Sequence, residues 1–146
     1  MKKSAYLLIL LLGSFFLVGC HESGTWKDDS KNWKRIFRAP KPADVTVVHS
    51  QFWRSPHWTY EFEYFLQVTQ NEEFKKTLFH FNKLKQLTTD EELHNTVDFF
   101  GEKPTWFLPK AVSNYEVWVY ADEPSQHFRI FIDRENGDLF LSDNQI

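Results

Sequence analysis

The stretch WTYEFEYFLQVT, residues 58–69, alternates large apolar residues with mostly polar ones. Its even positions are Trp58, Tyr60, Phe62, Tyr64, Leu66 and Val68, and its odd positions include Glu61 and Glu63. Successive side chains of a strand point to opposite faces of its sheet, so this period of two predicts an antiparallel strand with one buried and one wetter face. We therefore expect the aromatic rings at positions 58, 60, 62 and 64 to face the core, and both glutamates to face solvent.

Three further runs predict the rest of the sheet, because β-branched and aromatic residues favour strands. They are DVTVVHSQFW at 44–53, YEVWVYA at 115–121 and HFRIFID at 127–133. The dipeptide Asn136-Gly137 then predicts a hairpin with a two-residue type I′ loop. In that register Ile132 faces Leu141, and Asp133 faces Phe140.

Two longer segments have the three- and four-residue spacing of helices. They are TWKDDSKNWKRIFR at 25–38, with Asp29 or Ser30 as the N-cap, and NEEFKKTLFHFNKLKQL at 71–87, with Asn71 as the N-cap. A short third helix is expected to begin at Thr89. Together these elements predict a single α+β domain. It has a mostly antiparallel sheet of about five strands, with two or three helices packed on one face.

The first twenty residues, MKKSAYLLILLLGSFFLVGC, have the features of an export signal. Two lysines precede an apolar run of about thirteen residues, which is shorter than the roughly 20 residues of a membrane-spanning helix. This arrangement is typical of a secretory signal peptide. The end of the segment, Leu17-Val18-Gly19-Cys20, resembles the bacterial lipobox. The alternatives are an ordinary signal peptide that happens to contain a cysteine, or a signal anchor.

The resemblance to a bacterial lipoprotein implies a specific organisation of the chain. Cleavage before Cys20 removes a signal peptide of residues 1–19, a diacylglyceryl group is attached to the cysteine sulfur, and the new amino group is acylated, for example with palmitate. Residues 20–24 then form a lipidated tether, and 25–146 form the domain. Residue 21 is histidine, not the aspartate that resembles an inner-membrane retention signal. In a Gram-negative host we therefore expect the periplasmic leaflet of the outer membrane.

Composition limits the classes of partner. Without Lys2 and Lys3, the 17 basic residues become 15 against 20 acidic ones, a net charge near −5. No nucleic-acid partner is therefore expected. Cys20 is the only cysteine, so an exported chain has no disulfide. The expected partners are the membrane, through the lipid, and an envelope protein or ligand.

Motifs for cofactors and metals are missing from the sequence. No G-x-G-x-x-G, P-loop, G-x-S-x-G or H-E-x-x-H motif occurs, and the six histidines are scattered singly. We therefore expect no cofactor and no metal site. The chain has 15 Phe, 6 Trp and 5 Tyr. Rings at Trp53, Trp58, Trp106 and Trp118 could line a carbohydrate or peptide groove, or fill the core.

The segment HSQFWRSPHWTYEFEYF, 49–65, contains the best candidate site. Its candidate ligand-contacting residues are Trp53, Arg54, His57 and Trp58. A catalytic alternative combines His57 or His49 with Glu61 or Glu63 as base and carboxylate. In a regular strand, however, His57 and Glu61 would lie roughly 13 Å apart. A bend at Pro56 would move His57 off the strand.

Two functions of different classes follow from these patterns. The first is a non-catalytic, lipid-anchored envelope protein that binds a protein or a ligand. The alternative is a small envelope hydrolase or modifying enzyme that uses the histidines and glutamates named above. We favour the binding protein because the sequence has no recognisable nucleophile, metal or cofactor apparatus.

The lipid anchor can be tested by replacing Cys20 with serine. We expect the Cys20→Ser variant to lose lipid labelling and to yield no mature membrane-bound form, since two or more acyl chains are needed for stable anchoring. Fractionation and detergent partition measure this. A variant that is processed and partitions into membranes like the wild type would show that no lipid on Cys20 anchors the protein.

Overall fold

The structure is a computed structural model that describes residues 22–123 and 127–146. The predicted signal peptide of residues 1–19 and the predicted lipidation at Cys20 lie outside the described residues, so both stay predictions. Among the helices that the structure does describe, none is long and apolar enough to cross a membrane.

The described residues form seven strands and three α-helices. The strands are β1 (Gly24–Lys27), β2 (Val47–Arg54), β3 (Phe62–Val68), β4 (Leu84–Leu87), β5 (Tyr115–Tyr120), β6 (Arg129–Asp133) and β7 (Leu139–Gln145). The helices are α1 (Asn32–Phe37), α2 (Glu72–Phe81) and α3 (Asp90–Asn95), and a 3-10 turn covers Val112–Asn114.

All the strands belong to one antiparallel sheet, in the order β1-β2-β3-β7-β6-β5-β4. Strands β1 to β3 form one meander, and β4 to β7 form a second one. The two meanders meet where β3 pairs with β7, and the connection through α2 carries the chain from the centre of the sheet to its edge. The single α+β domain is therefore as predicted, but the sheet has more strands than the five expected.

β4 lies inside a segment predicted to be helical, and β1 joins the last residue of the predicted tether to the start of the other predicted helix. Residues 24–27 pair with β2, and the chain turns at Asp28, whose φ is +49°, before α1 begins at Asn32. The second long helix ends at Phe81 because Asn82 is extended, and residues 84–87 then pair with β5. Each strand has only four residues, and its partner strand determines its conformation.

Both predicted helix starts further along the chain are confirmed. The Asn71 side chain accepts a hydrogen bond from the N–H of Phe74 at 2.7 Å, as an N-cap does. Thr89 and Glu92 form a reciprocal capping box at the start of α3. These helix starts were predictable because each cap lies within three residues of the group it binds.

The prediction of one buried and one wetter face is wrong. On the even face of β3, Tyr64 packs in a core closed by α1 and α2. On the odd face, Phe65 is only 1% exposed and packs beneath a loop that contains Phe107. The helices also do not share one face, because Leu93 of α3 packs against this second core. The central strands are therefore buried on both sides.

Two residues of the stretch 58–69 do not lie where the alternation predicted. Trp58 was expected in the core but is fully exposed, because β3 begins only at Phe62 and residue 58 lies in the loop before it. Glu63 was expected in solvent but is only 5% exposed, because the loop covers its face. Tyr64 is buried as predicted, whereas Tyr60 and Phe62 are half-buried.

The β6–β7 hairpin exists, but its predicted register is wrong. Ile132 pairs with Leu139, and the N–H of Asp133 donates to the carbonyl of Asp138. Four residues, 134–137, therefore form the loop. Gly137 has φ of +76°, whereas Asn136 is not among the positive-φ residues, so the loop has one left-handed residue and is not the two-residue type I′ turn.

We expect Gly137→Val to destabilise the domain by about 2 kcal/mol or more. A β-branched residue resists positive φ, and a Cβ at this position would lie 2.8 Å from Cδ of Gln70. Urea unfolding followed by circular dichroism measures the change. The matched control is Glu135→Val in the same loop, where the residue is exposed and φ is not positive. Equal stability of the two variants would contradict this account of the turn.

Candidate functional site

The sheet carries a concave surface on each of its two faces. One, which we name the aromatic cavity, has a volume of about 530 Å³ and lies between α1, α2 and the even face of β3. The other, which we name the Glu63 cleft, has a volume of about 810 Å³ and lies between the odd face and the loop after α3. Both volumes fall within the usual range for small-molecule sites.

The walls of the aromatic cavity come from neighbouring strands, from α1 and α2, and from the loop that contains Tyr60. Its rings include Phe52, Phe62, Tyr64, Phe74, Tyr120 and Phe128. Phe52 pairs with Tyr64 across β2 and β3, and Tyr64 pairs with Asp143 across β3 and β7. Paired residues of antiparallel strands share a face. The register therefore places the Asp143 carboxyl group among aromatic rings.

Asp143 is the unusual titratable group of this cavity. Burial raises its pKa to about 6, although the N–H of Asn144 and the charge of Arg129 oppose that rise. Arg129 pairs with Ser142, so it belongs to the opposite face of the sheet. Among the ion pairs of the described residues, none involves Asp143. The carboxylate is thus ionised at neutral pH without a direct cationic partner.

The arginines at the rim of the aromatic cavity have partners of their own. Arg35 forms an ion pair of 3.1 Å with Asp29, and its guanidinium lies 4.4 Å from the centre of the Trp26 ring. Arg38 donates a hydrogen bond to the hydroxyl of Tyr60. These two guanidinium groups are therefore held at the rim and leave the Asp143 carboxylate unneutralised.

The carboxylate of Glu63 lies at the Glu63 cleft and is bound by backbone. Its Oε1 accepts from the N–H of Phe100 at 3.0 Å, and its Oε2 accepts from the N–H of Gly101 at 2.9 Å. Burial raises the pKa of Glu63, and these two N–H groups oppose the rise. A Cβ at Gly101 would lie 2.7 Å from Oε2, so this close approach requires glycine. Glu63 therefore fastens the loop to the sheet.

A buried arginine fastens the same loop to the sheet, and a half-buried lysine links two parts of the loop. Arg129 is 8% exposed, and its Nη1 donates to the carbonyl of Asp98 at 3.0 Å. The Nζ of Lys103 donates to the carbonyls of Phe107 and Leu108, and burial lowers the pKa of this lysine. The polar groups of this face are thus largely occupied in holding the loop.

The four predicted ligand-contacting residues do not form one site. Trp53 lines the Glu63 cleft, whereas Arg54 lies on the other face with its guanidinium 4.5 Å from the centre of the Tyr60 ring. Successive residues of a strand face opposite sides, which explains this separation. His57 and Trp58 are exposed in the loop between β2 and β3.

The predicted histidine–glutamate pairs are mostly not formed. His49 lies 3.3 Å from Asp28 and stacks on Trp106, so it does not meet either glutamate. His57 does approach Glu61, because both belong to the loop region before β3. Hydrogen bonds from Thr59 and Ser55 lower the pKa of Glu61, and the charge of His57 contributes to the same shift.

Sequence reasoning missed Asp143, which lies in the polar second half of β7 without any motif around it. The local signal is limited to a carboxylate two residues after the apolar run Leu139–Leu141. Within the part of the chain that the structure describes, no group of three or more His, Cys, Asp or Glu is placed to hold a metal ion. Compared with known proteins, the chain matches no family model, no curated protein and no solved structure.

We expect Glu63→Gln to destabilise the domain by about 1–3 kcal/mol. Glutamine retains one acceptor oxygen and places an NH₂ group against a backbone N–H, so one buried donor loses its partner. Chemical unfolding at pH 7 measures the cost. Glu61→Gln is the matched control two residues away, and we expect a change of about 0.5 kcal/mol or less. If both variants unfolded like the wild type, Glu63 would not be holding the loop.

Proposed function

We propose that this protein is a lipid-anchored envelope protein that binds a small organic cation in the aromatic cavity, without catalysing a reaction. The observation that carries the proposal is the Asp143 carboxylate, which is ionised at neutral pH among aromatic rings and has no direct cationic partner. The envelope location rests on the Leu17-Val18-Gly19-Cys20 segment and its resemblance to the lipobox.

The energetics of burial favour a cationic ligand. Asp143 is half-buried beside aromatic rings and loses part of its hydration there, which raises its pKa. A ligand cation would supply the missing opposite charge. The faces of Tyr64, Tyr120 and Phe128 would add to the attraction, because aromatic rings attract cations with energies of about 0.5–2 kcal/mol each.

The apolar walls indicate the remainder of the ligand. Stacked rings line the interior, with the Phe52 and Phe62 centroids 6.1 Å apart and their planes inclined by 7°. Tyr120 and Phe128 form a second stacked pair with centroids 5.0 Å apart. A flat aromatic or compact aliphatic body would fill this space and displace water from both pairs. We therefore expect an amine or quaternary ammonium group on an apolar body.

The Glu63 cleft and the hydrolase hypothesis have less support. The Glu63 carboxylate is occupied by two backbone N–H groups, and His49 is paired with Asp28. The remaining combination, His57 with Glu61, lies in a loop that is open to solvent. Water weakens the electrostatic interactions that a catalytic site uses, so this loop is a poor place for general base catalysis.

The cation site can be tested with benzyltrimethylammonium, whose charge does not change with pH. We expect Asp143→Asn to weaken its binding by about tenfold or more, since a charge-assisted contact is worth about 1.5–3 kcal/mol. Wild-type affinity should fall about tenfold from pH 7 to pH 5, because the carboxyl group takes up its proton around pH 6. Isothermal titration calorimetry measures both effects.

The controls separate charge from general apolar binding. Benzyl alcohol should bind with little pH dependence, and Asp122→Asn, an exposed aspartate paired with Lys83, should leave cation binding unchanged. We expect Asp143→Asn to remain folded at pH 7. The pKa of Asp143 is raised in the folded state, so its ionisation lowers the free energy of unfolding as pH rises through about 6. Asparagine does not ionise and avoids this loss. Equal affinity of wild type and Asp143→Asn for the cation would overturn the proposed function.

A further inference from the structure

Large apolar side chains are exposed at one end of the sheet. The four most exposed among the described residues are Trp58, Phe81, Phe100 and Ile146, with exposed fractions of 102%, 78%, 59% and 59%. Isolated exposed apolar residues are ordinary on protein surfaces, but a group of them at one place marks an interaction surface. We name these four residues the anchor face.

The strand register places two of these residues directly. Gly24 pairs with Arg54, Arg54 pairs with Phe62, and Phe62 pairs with Gln145, which makes these four the last row of the sheet. Trp58 lies in the loop that joins the second and third members of this row. Ile146 follows the fourth member in the chain, so both belong to this end of the sheet.

The other two residues lie beside the same row. The N–H of Phe100 donates to Glu63, and its ring centroid is 5.7 Å from that of Trp53. Glu63 and Trp53 form the next row of the sheet. Phe81 ends α2, which returns toward this end after β3, and it lines the aromatic cavity together with Gln145. The four exposed side chains therefore lie around the end of the sheet that this last row forms.

The chain enters the sheet at this same end, because Gly24 belongs to the last row. β1 begins at Gly24, only four residues after Cys20. Four residues of fully extended chain span at most about 14 Å. If Cys20 carries the lipid, as the proposed function requires, Gly24 at one end of this row is therefore held within about 14 Å of the anchored residue.

We propose that the anchor face lies against the lipid bilayer, with Trp58 among the headgroups and the sheet standing end-on to the membrane. Tryptophan is enriched at the membrane–water interface because its ring is apolar and its N–H is polar. A partner protein fits this place poorly. A folded domain of about 100 residues has a radius of gyration of about 13 Å, so it would not fit between the anchor face and the bilayer.

The charges near the anchor face agree with contact at headgroup level. Arg38 and Arg54 both contact Tyr60, which lies in the same loop as Trp58. The acidic side chains described at this end include Glu22 and Glu61. Two arginines are thus present among the acidic side chains at this end, where their positive charge can meet anionic headgroups.

The orientation can be tested with a single spin label. Cys20 is the only cysteine, so Trp58→Cys in the mature lipoprotein provides the one free thiol when Cys20 is lipidated. The matched control is Ala43→Cys, an exposed position just before β2, beyond the opposite row of the sheet in which Val47 pairs with Val68. Each labelled protein is reconstituted in phosphatidylcholine–phosphatidylglycerol vesicles, and power-saturation electron paramagnetic resonance compares collisions with oxygen and with a water-soluble nickel complex.

We expect the oxygen-to-nickel collision ratio at position 58 to be about threefold or more above that at position 43, because oxygen concentrates in apolar lipid and the nickel complex does not. Equal, water-like ratios in protein that floats with the vesicles would overturn the orientation and leave the anchor intact. Low collision rates with both reagents at position 58 would overturn it in favour of protein contact there. Labelling of the wild-type thiol, or protein that does not float, would overturn the anchor and the orientation with it.

Discussion

The pairing of β3 with β7 at the centre of the sheet is the interaction on which the remaining structure depends. Leu66 pairs with Leu141, and both are fully buried, while Phe65 and Phe140 pack in the core on the other face. A strand buried on both sides has no solvent face on which to place a charge. An ionisable group in the fully buried part of these strands therefore needs a protein partner, whereas Asp143 lies beyond that part of β7 and is half-buried.

Two carboxylates on these strands meet that constraint differently. Glu63 receives two backbone N–H bonds from the loop after α3, so its burial stabilises the contact between loop and sheet. Asp143, on the other face, has the N–H of Asn144 but no ion pair within the described residues, and burial raises its pKa to about 6. A neighbouring charge across the sheet, Arg129, relieves only part of this cost. The same chemical group thus fastens the fold on one face, and on the other it is the group that we propose for cation binding.

Sequence patterns predicted the parts of the fold that local forces determine. The caps at Asn71 and Thr89 and the alternating strands β3, β5 and β6 were recognisable because their signals span a few residues. The strands β1 and β4 were not, because four residues acquire extended structure only from a partner strand. The surroundings of Glu63 and Asp143 also could not be predicted from the sequence. The atoms that bury them come from segments distant in the chain, and periodicity carries no information about those contacts.

The position of β7 has a consequence for how the chain reaches its native state. This strand, Leu139–Gln145, is the last in the sequence, yet it lies in the middle of the sheet and joins two otherwise separate meanders. A growing chain therefore lacks its central strand until residues 139–145 have been synthesised. Folding that depends on such distant contacts is slow, so the chain stays unfolded for longer. If the chain is exported as we propose, this topology delays folding until residues 139–145 have crossed the membrane.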